Sequence, residues 1–135
     1  MRIGLVDIDG HHFPNLALMK LSAWHKSQGD SVEFADPMFG RYDRMSQLEA
    51  VTKCVKELGR RGIKPYRIFV YCLIQDVDES LERINALRKL KVCPFAQPYR
   101  DFDNNIEPTK EQKRLARWCN HKAIFKSVEF KNYKL

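Results

Sequence analysis

The sequence predicts an α/β protein: a small open, mostly parallel sheet of about four strands flanked by helices, in the order β-α-β-α-β-α-β-α. Three observations lead there. Short apolar runs of strand length alternate with longer stretches whose apolar residues recur at helical spacing. The connections between successive strands are long enough for parallel pairing. Residues 66–74, YRIFVYCLI, are apolar on both alternations apart from Arg67, as a central strand covered on both faces requires.

Residues 2–36 read as a complete strand–helix–strand unit. Ile3, Leu5, Val6 and Ile8 make a short apolar run that ends among Asp7, Asp9 and Gly10. Pro14 suits a first helical turn, where its missing N–H costs nothing. In the helix, Leu16, Met19 and Ala23, with Ala17, Leu21 and Trp24, are expected to face the core, and Lys20, Ser22, His25 and Lys26 the solvent. Gly29 stops the helix, and Val32 and Phe34 open the second strand.

Residues 36–43 form a connector rich in turn formers. Ser46 and Glu49 make a capping box for a helix with Leu48, Val51, Val55 and Leu58 at core spacing, Cys54 beside them, and its end at Gly59 or Gly62. After the central strand, Asp76 or Asp78 caps a helix carrying Leu81, Ile84, Leu87 and Leu90. Val92, Cys93, Phe95 and Ala96 form a strand that Pro94 assigns to a sheet edge. A polar loop over residues 97–108 leads to Thr109, which with Gln112 caps a last helix that breaks around Asn120. Val128, Glu129 and Phe130 are expected to add a few extended residues.

A chain of 135 residues is one domain, with a hydrophobic share of 44% and a charged share of 30%, as in soluble globular proteins. No apolar run reaches membrane-spanning length and no basic segment precedes an apolar leader, so the cytoplasm is the expected location and no membrane partner is expected. The four cysteines lie 18, 21 and 26 residues apart in apolar segments, the pattern of reduced core thiols. The net charge of +7 is concentrated at the C-terminal end: residues 109–135 hold eight Lys or Arg against two Glu, a net of +6.

Four groups of residues carry candidate chemistry. Asp7, Asp9, His11 and His12, at a strand end, have the donor types for a divalent cation; the structural alternative is that Asp9 and Gly10 shape the turn and cap the next helix. Arg100 and Asp101, in the loop after the edge strand, offer a guanidinium for a carboxylate or phosphate, or else pair with each other to hold the loop. Lys110, Lys113, Arg114 and Arg117 recur at i, i+3, i+4 and i+7 near Trp118 and Phe125, a basic stripe able to track a phosphate backbone or simply to be solvated. Trp118 reads as core. No cysteine pair has zinc-knuckle spacing.

Two resemblances add to this. IGLVDIDGH resembles the D-x-D-G opening of haloacid-dehalogenase-like phosphohydrolases, which implies a metal-dependent phosphohydrolase with Asp7 as nucleophile and Asp9 as general acid; His11 stands where Thr or Val is usual, and the later acidic pair has no clear counterpart. More extensively, GLVDIDGHHFPNLALMKLSAWHKSQGDSVEF resembles the start of a group of radical S-adenosylmethionine proteins with a cobalamin-domain-like first segment. FVYCLI, ESLERINALRKLKVCPFAQPYRDFDNN and EPTKEQKRLARWCNHKAIFKSVEF resemble the last part of the same group's barrel.

That family holds a 4Fe–4S cluster on three cysteines spaced C-x3-C-x2-C within one loop. The cysteines here have no such spacing, and the chain passes near residues 43–45 from the family's first segment to its last. The single domain of residues 1–135 is thus expected to join a βαβ unit (1–44) to a barrel-like segment (45–135), with neither cluster nor S-adenosylmethionine as cofactor. The expected function is a non-catalytic binding or assembly module, leaning away from an enzyme, whose uncovered strand rims favour self-association or a protein partner. The alternatives are nucleic-acid binding through the basic end and phosphate-ester hydrolysis at Asp7 and Asp9.

Overall fold

The computed structural model describes residues 1–7, 16–35 and 47–134. Four strands, β1 (Arg2–Val6), β2 (Ser31–Ala35), β3 (Ile68–Ile74) and β4 (Cys93–Pro98), pair in parallel in the order β2-β1-β3-β4. The helices are α1 (Leu16–Ser27), α2 (Gln47–Arg60), α3 (Val77–Lys89), α4 (Lys110–Asn120) and α5 (Lys122–Ser127). The chain steps from β1 to β2 in one direction, then from β2 to β3 and β4 in the other. Right-handed crossovers therefore put α1 on one face and α2 and α3 on the opposite face.

The packing follows that division. Val6, Ile68 and Val70 meet Val51, Cys54 and Leu58 of α2 and Leu87 of α3. Ile74 and Ala96 meet Ile84 of α3, Leu115, Trp118 and Cys119 of α4, and Phe125 of α5. On the other face Ile3 and Leu5 pack on Leu18 of α1. Gly4 marks the closest approach of α2, since a β-carbon there would stand 2.8 Å from Leu58 Cδ1.

Local chemistry sets the element ends. Gly29 takes φ +84° and terminates α1. Asp76 caps α3 by accepting from the Glu79 N–H at 2.8 Å. Thr109 and Gln112 form a reciprocal capping box at the start of α4. Ser46 and Pro14, expected to start α2 and α1, lie outside the described residues.

Three expectations need correction. The central strand begins at Ile68, not Tyr66: Pro65, with its fixed φ, sets residues Pro65–Arg67 in a 3-10 turn. Val128 and Glu129 are extended, but Phe130–Asn132 turns into a 3-10 helix, drawn in by the buried Phe130 ring. And α1 is rotated relative to its expected face. Leu18, Ser22 and His25 are buried, while Leu16 (72% exposed), Met19, Ala23 and Trp24 (58% exposed) face outward.

The rotation has a polar cause. Apolar residues occupy most of the α1 circumference, so periodicity alone selects no face. His25 can go inside because its Nδ1 lies 2.8 Å from Asp30 Oδ2 and its ring packs on Phe69, with centroids 5.6 Å apart. That contact holds the Asp30 carboxyl below the usual carboxylate range, with help from the chain's amino group.

The two sheet edges also differ. Tyr99 N–H donates to Ile74 O at 2.8 Å, which sets the odd-numbered backbone groups of β4 toward β3. Pro94, Ala96 and Pro98 therefore point outward. The prolines carry no donor, and Ala96 is matched by the Asn120 side chain: Ala96 N–H donates to Oδ1 (2.7 Å) and Nδ2 donates to Ala96 O (2.8 Å). The expected open strand rim does not exist at β4. At β2, Val32 and Phe34 turn outward with no such closure among the described residues.

Candidate functional site

Of the residues expected at the end of the first strand, only Asp7 is among those the structure describes. Asp7 follows β1 directly and is half-buried. Asp9, His11 and His12 lie outside the described residues. Among the described residues no group of three His, Cys, Asp or Glu side chains lies close enough to hold a metal ion.

Arg100 and Asp101 do not pair with each other. Arg100 Nη2 lies 2.5 Å from Glu107 Oε1, with its guanidinium 5.1 Å from the Phe102 ring centroid. Asp101 instead closes the loop on itself. It accepts from Asn104 N–H (3.0 Å) and Nδ2 (2.8 Å), and its backbone exchanges two hydrogen bonds with Ile106. The Asn104 contacts hold the Asp101 carboxyl below its ordinary range. Both residues serve to shape the loop.

The basic stripe of α4 is divided. Arg114 turns inward, where it donates to Tyr133 O (2.6 Å) and Phe130 O (3.0 Å), pairs with Glu111 and lies 4.2 Å from the Phe130 ring centroid. Its guanidinium clamps the C-terminal segment onto α4 and is not available to a phosphate backbone. Lys110, Lys113 and Arg117 remain exposed. Trp118 is fully buried, packed on Phe125 and Phe130, and its Nε1–H donates to Val128 O at 2.8 Å.

The cysteines sit on four different elements. Cys54 is on α2, Cys72 on β3, Cys93 on β4 and Cys119 on α4; all are free, and only Cys72 is not fully buried. Burial pushes the Cys119 thiol strongly up, and burial likewise raises Cys93 against the pull of Lys122 and Lys126. Among the described residues no three of these thiols come together.

What the structure does assemble is a low-charge surface that the sequence did not single out. On the α1 face of the sheet, Tyr71 and Leu73 of β3 and Phe95 of β4 are only half-buried. With Leu16, Ala17, Lys20 and Leu21 of α1 they line a shallow groove of about 840 Å³. Tyr71 Oη donates to Gln97 Oε1 at 3.1 Å and fixes the groove wall. Lys20 is the one charged side chain among the described residues lining it.

The signal for this surface was the apolar excess of α1, read at the sequence level as core. No helix among the described residues is long and apolar enough to cross a membrane. No protein-family model, curated protein or solved structure matches the chain.

Proposed function

We propose that the chain is a non-catalytic binding module that self-associates through the open, α1-bearing face of its sheet. The unequal cover of the two faces carries this reading: among the described residues, α2, α3 and α4 pack on one face and α1 on the other. Half-exposed Tyr71, Leu73 and Phe95, together with exposed Leu16, form a contiguous apolar region of the kind that marks an interaction surface. A second copy is the favoured occupant on electrostatic grounds. The net charge of +7 is concentrated in residues 109–135, whereas among the described residues lining this groove only Lys20 is charged. Depletion of charge is the compositional mark of an interface centre. The scattered, buried thiols support a role without cluster or radical chemistry.

Two measurements test the reading. Sedimentation velocity over a concentration series should show reversible association to a dimer; a monomer at all concentrations, or a complex formed only with a different protein, contradicts it. Anaerobic incubation with iron and sulfide should leave no visible charge-transfer absorbance; stoichiometric cluster binding contradicts the non-catalytic part.

A further inference from the structure

At the amino-terminal ends of β3 and β4, on the rim opposite to the strand-end loops, cations gather around aromatic rings. Tyr66, Arg88, Lys91, Lys122, Phe125 and Lys126 line a cavity of about 440 Å³, within the range of about 300–1,000 Å³ usual for small-ligand sites. Among the described residues lining it none is acidic. They come from four separate places: the 3-10 turn before β3, the last turn of α3, the residue after the C-cap of α3, and α5. Arg88 Nη2 donates to Lys126 O at 3.3 Å and so sets α5 against α3. Tyr66 is 41% exposed, and its ring centroid lies 5.4 Å from the Arg67 guanidinium and 5.9 Å from each of Lys64 Nζ and Lys126 Nζ.

Two features here are not what folding alone would select. Lys91 has φ 62°, left-handed backbone at the position after a helix where glycine is the favoured residue. A lysine held there keeps a cation at the cavity at a conformational cost. Next to Tyr66, the Arg67 Nε is shielded from solvent and has no hydrogen-bond partner among the described residues. The positive field reaches inside: Lys122 and Lys126 oppose the effect of burial on the Cys93 thiol.

We infer that this cavity binds a nucleotide, with the phosphate among Lys91, Lys122 and Lys126 and the base stacked on Tyr66. Ammonium groups supply charge-assisted hydrogen bonds to phosphate oxygens. An accessible aromatic ring accepts any base face, which gives affinity without sequence preference. A free nucleotide and a nucleotide within a single strand present the same chemistry. Lys122 Nζ also lies 4.6 Å from the Phe69 ring centroid on the α1 side of the sheet, but the cavity shares no lining residue with the groove and does not depend on self-association.

The test is calorimetric titration with adenosine 5′-monophosphate and with adenosine, and fluorescence anisotropy with a labelled oligouridylate, all at low salt. The monophosphate should bind at least about tenfold more tightly than adenosine, the scale of one charge-assisted contact. Lys122→Glu combined with Lys126→Glu should abolish binding, and Tyr66→Ala should weaken it while Tyr66→Phe retains it. Lys91→Gly should weaken binding with the Tm unchanged or higher, a split that a merely structural lysine would not give. This variant carries the test alone should the α5 reversal fail to fold. Lys110→Glu combined with Lys113→Glu on α4 should leave the affinity nearly unaltered. Tighter binding of oligouridylate with the same variant pattern identifies the strand as the source, and binding of the monophosphate alone identifies the free nucleotide; both uphold the site. No binding of either probe, equal binding of adenosine, or equal loss on reversing α4 overturns it.

Discussion

The two faces of the sheet are made by the same four strands and differ in what covers them. On one, side chains of β1, β3 and β4 lock into α2, α3 and α4; Leu58, Ile68, Ile74, Leu115 and Trp118 are all fully buried. On the other, Leu5 and Ile3 are sealed by Leu18, but coverage fails on the next two strands, at Tyr71 and Leu73 of β3 and Phe95 of β4. The covered face is fastened by apolar packing. Among the described residues the open face carries one helix, anchored through the polar contact of His25 with Asp30, and that helix shows apolar side chains to solvent. One face is therefore a finished core, and the other is half of one.

The largest effect expected from that comparison is on the finished face. Trp118→Ala removes a ring packed on Phe125 and Phe130 and the donor to Val128 O, and should cost about 3–5 kcal/mol by urea denaturation. A loss below about 1 kcal/mol, the scale of a surface substitution, would mean that this face is as loosely covered as the other. Next comes Asn120→Ala, which strips the partners from both outward backbone groups of Ala96. It should cost about 1–3 kcal/mol and increase aggregation on heating, read by light scattering, because the β4 edge becomes available for pairing.

The smallest effect concerns the anchor of the open face. Asp30 has its carboxyl pKa depressed in the folded state, chiefly by His25. Its contribution is therefore fully present above the unfolded value of about 3.9, and it is lost as pH falls through the folded value. Asp30→Asn should flatten part of the acid side of a Tm-against-pH curve and leave the rest, since Asp101 and Glu129 are depressed in the same sense. An unchanged acid limb would show that the His25 contact does not anchor α1.

Much of the fold was legible because it is written in local patterns. The apolar run of β3 placed it at the sheet centre, Pro94 placed β4 at an edge, Asp76 and Thr109 marked helix starts by side-chain capping, and Gly29 marked a helix end by its freedom to take positive φ. The rotation of α1 was not legible, because His25 becomes a core residue only when Asp30 and Phe69 are brought to it. The same holds for Arg114, whose charge in sequence belongs to a basic stripe. In space it belongs to the carbonyls of Phe130 and Tyr133. Arg100 and Asp101 were rightly placed in one loop, but their partners, Glu107 and Asn104, come from its far side. The Lys91–Lys122–Lys126 cluster joins an i, i+4 pair on α5 to a residue beyond the end of α3, and that junction is one no spacing rule collects.

The central claim is that the open face is completed by a second copy of the chain. Light scattering of wild type and Leu73→Lys at matched concentration tests it most directly, with Tm measured alongside. The wild type should have the mass of a dimer and the variant that of a folded monomer, because a lysine placed at the groove centre meets its own counterpart across the contact. Equal masses for the two proteins, with the variant still folded, would contradict the account.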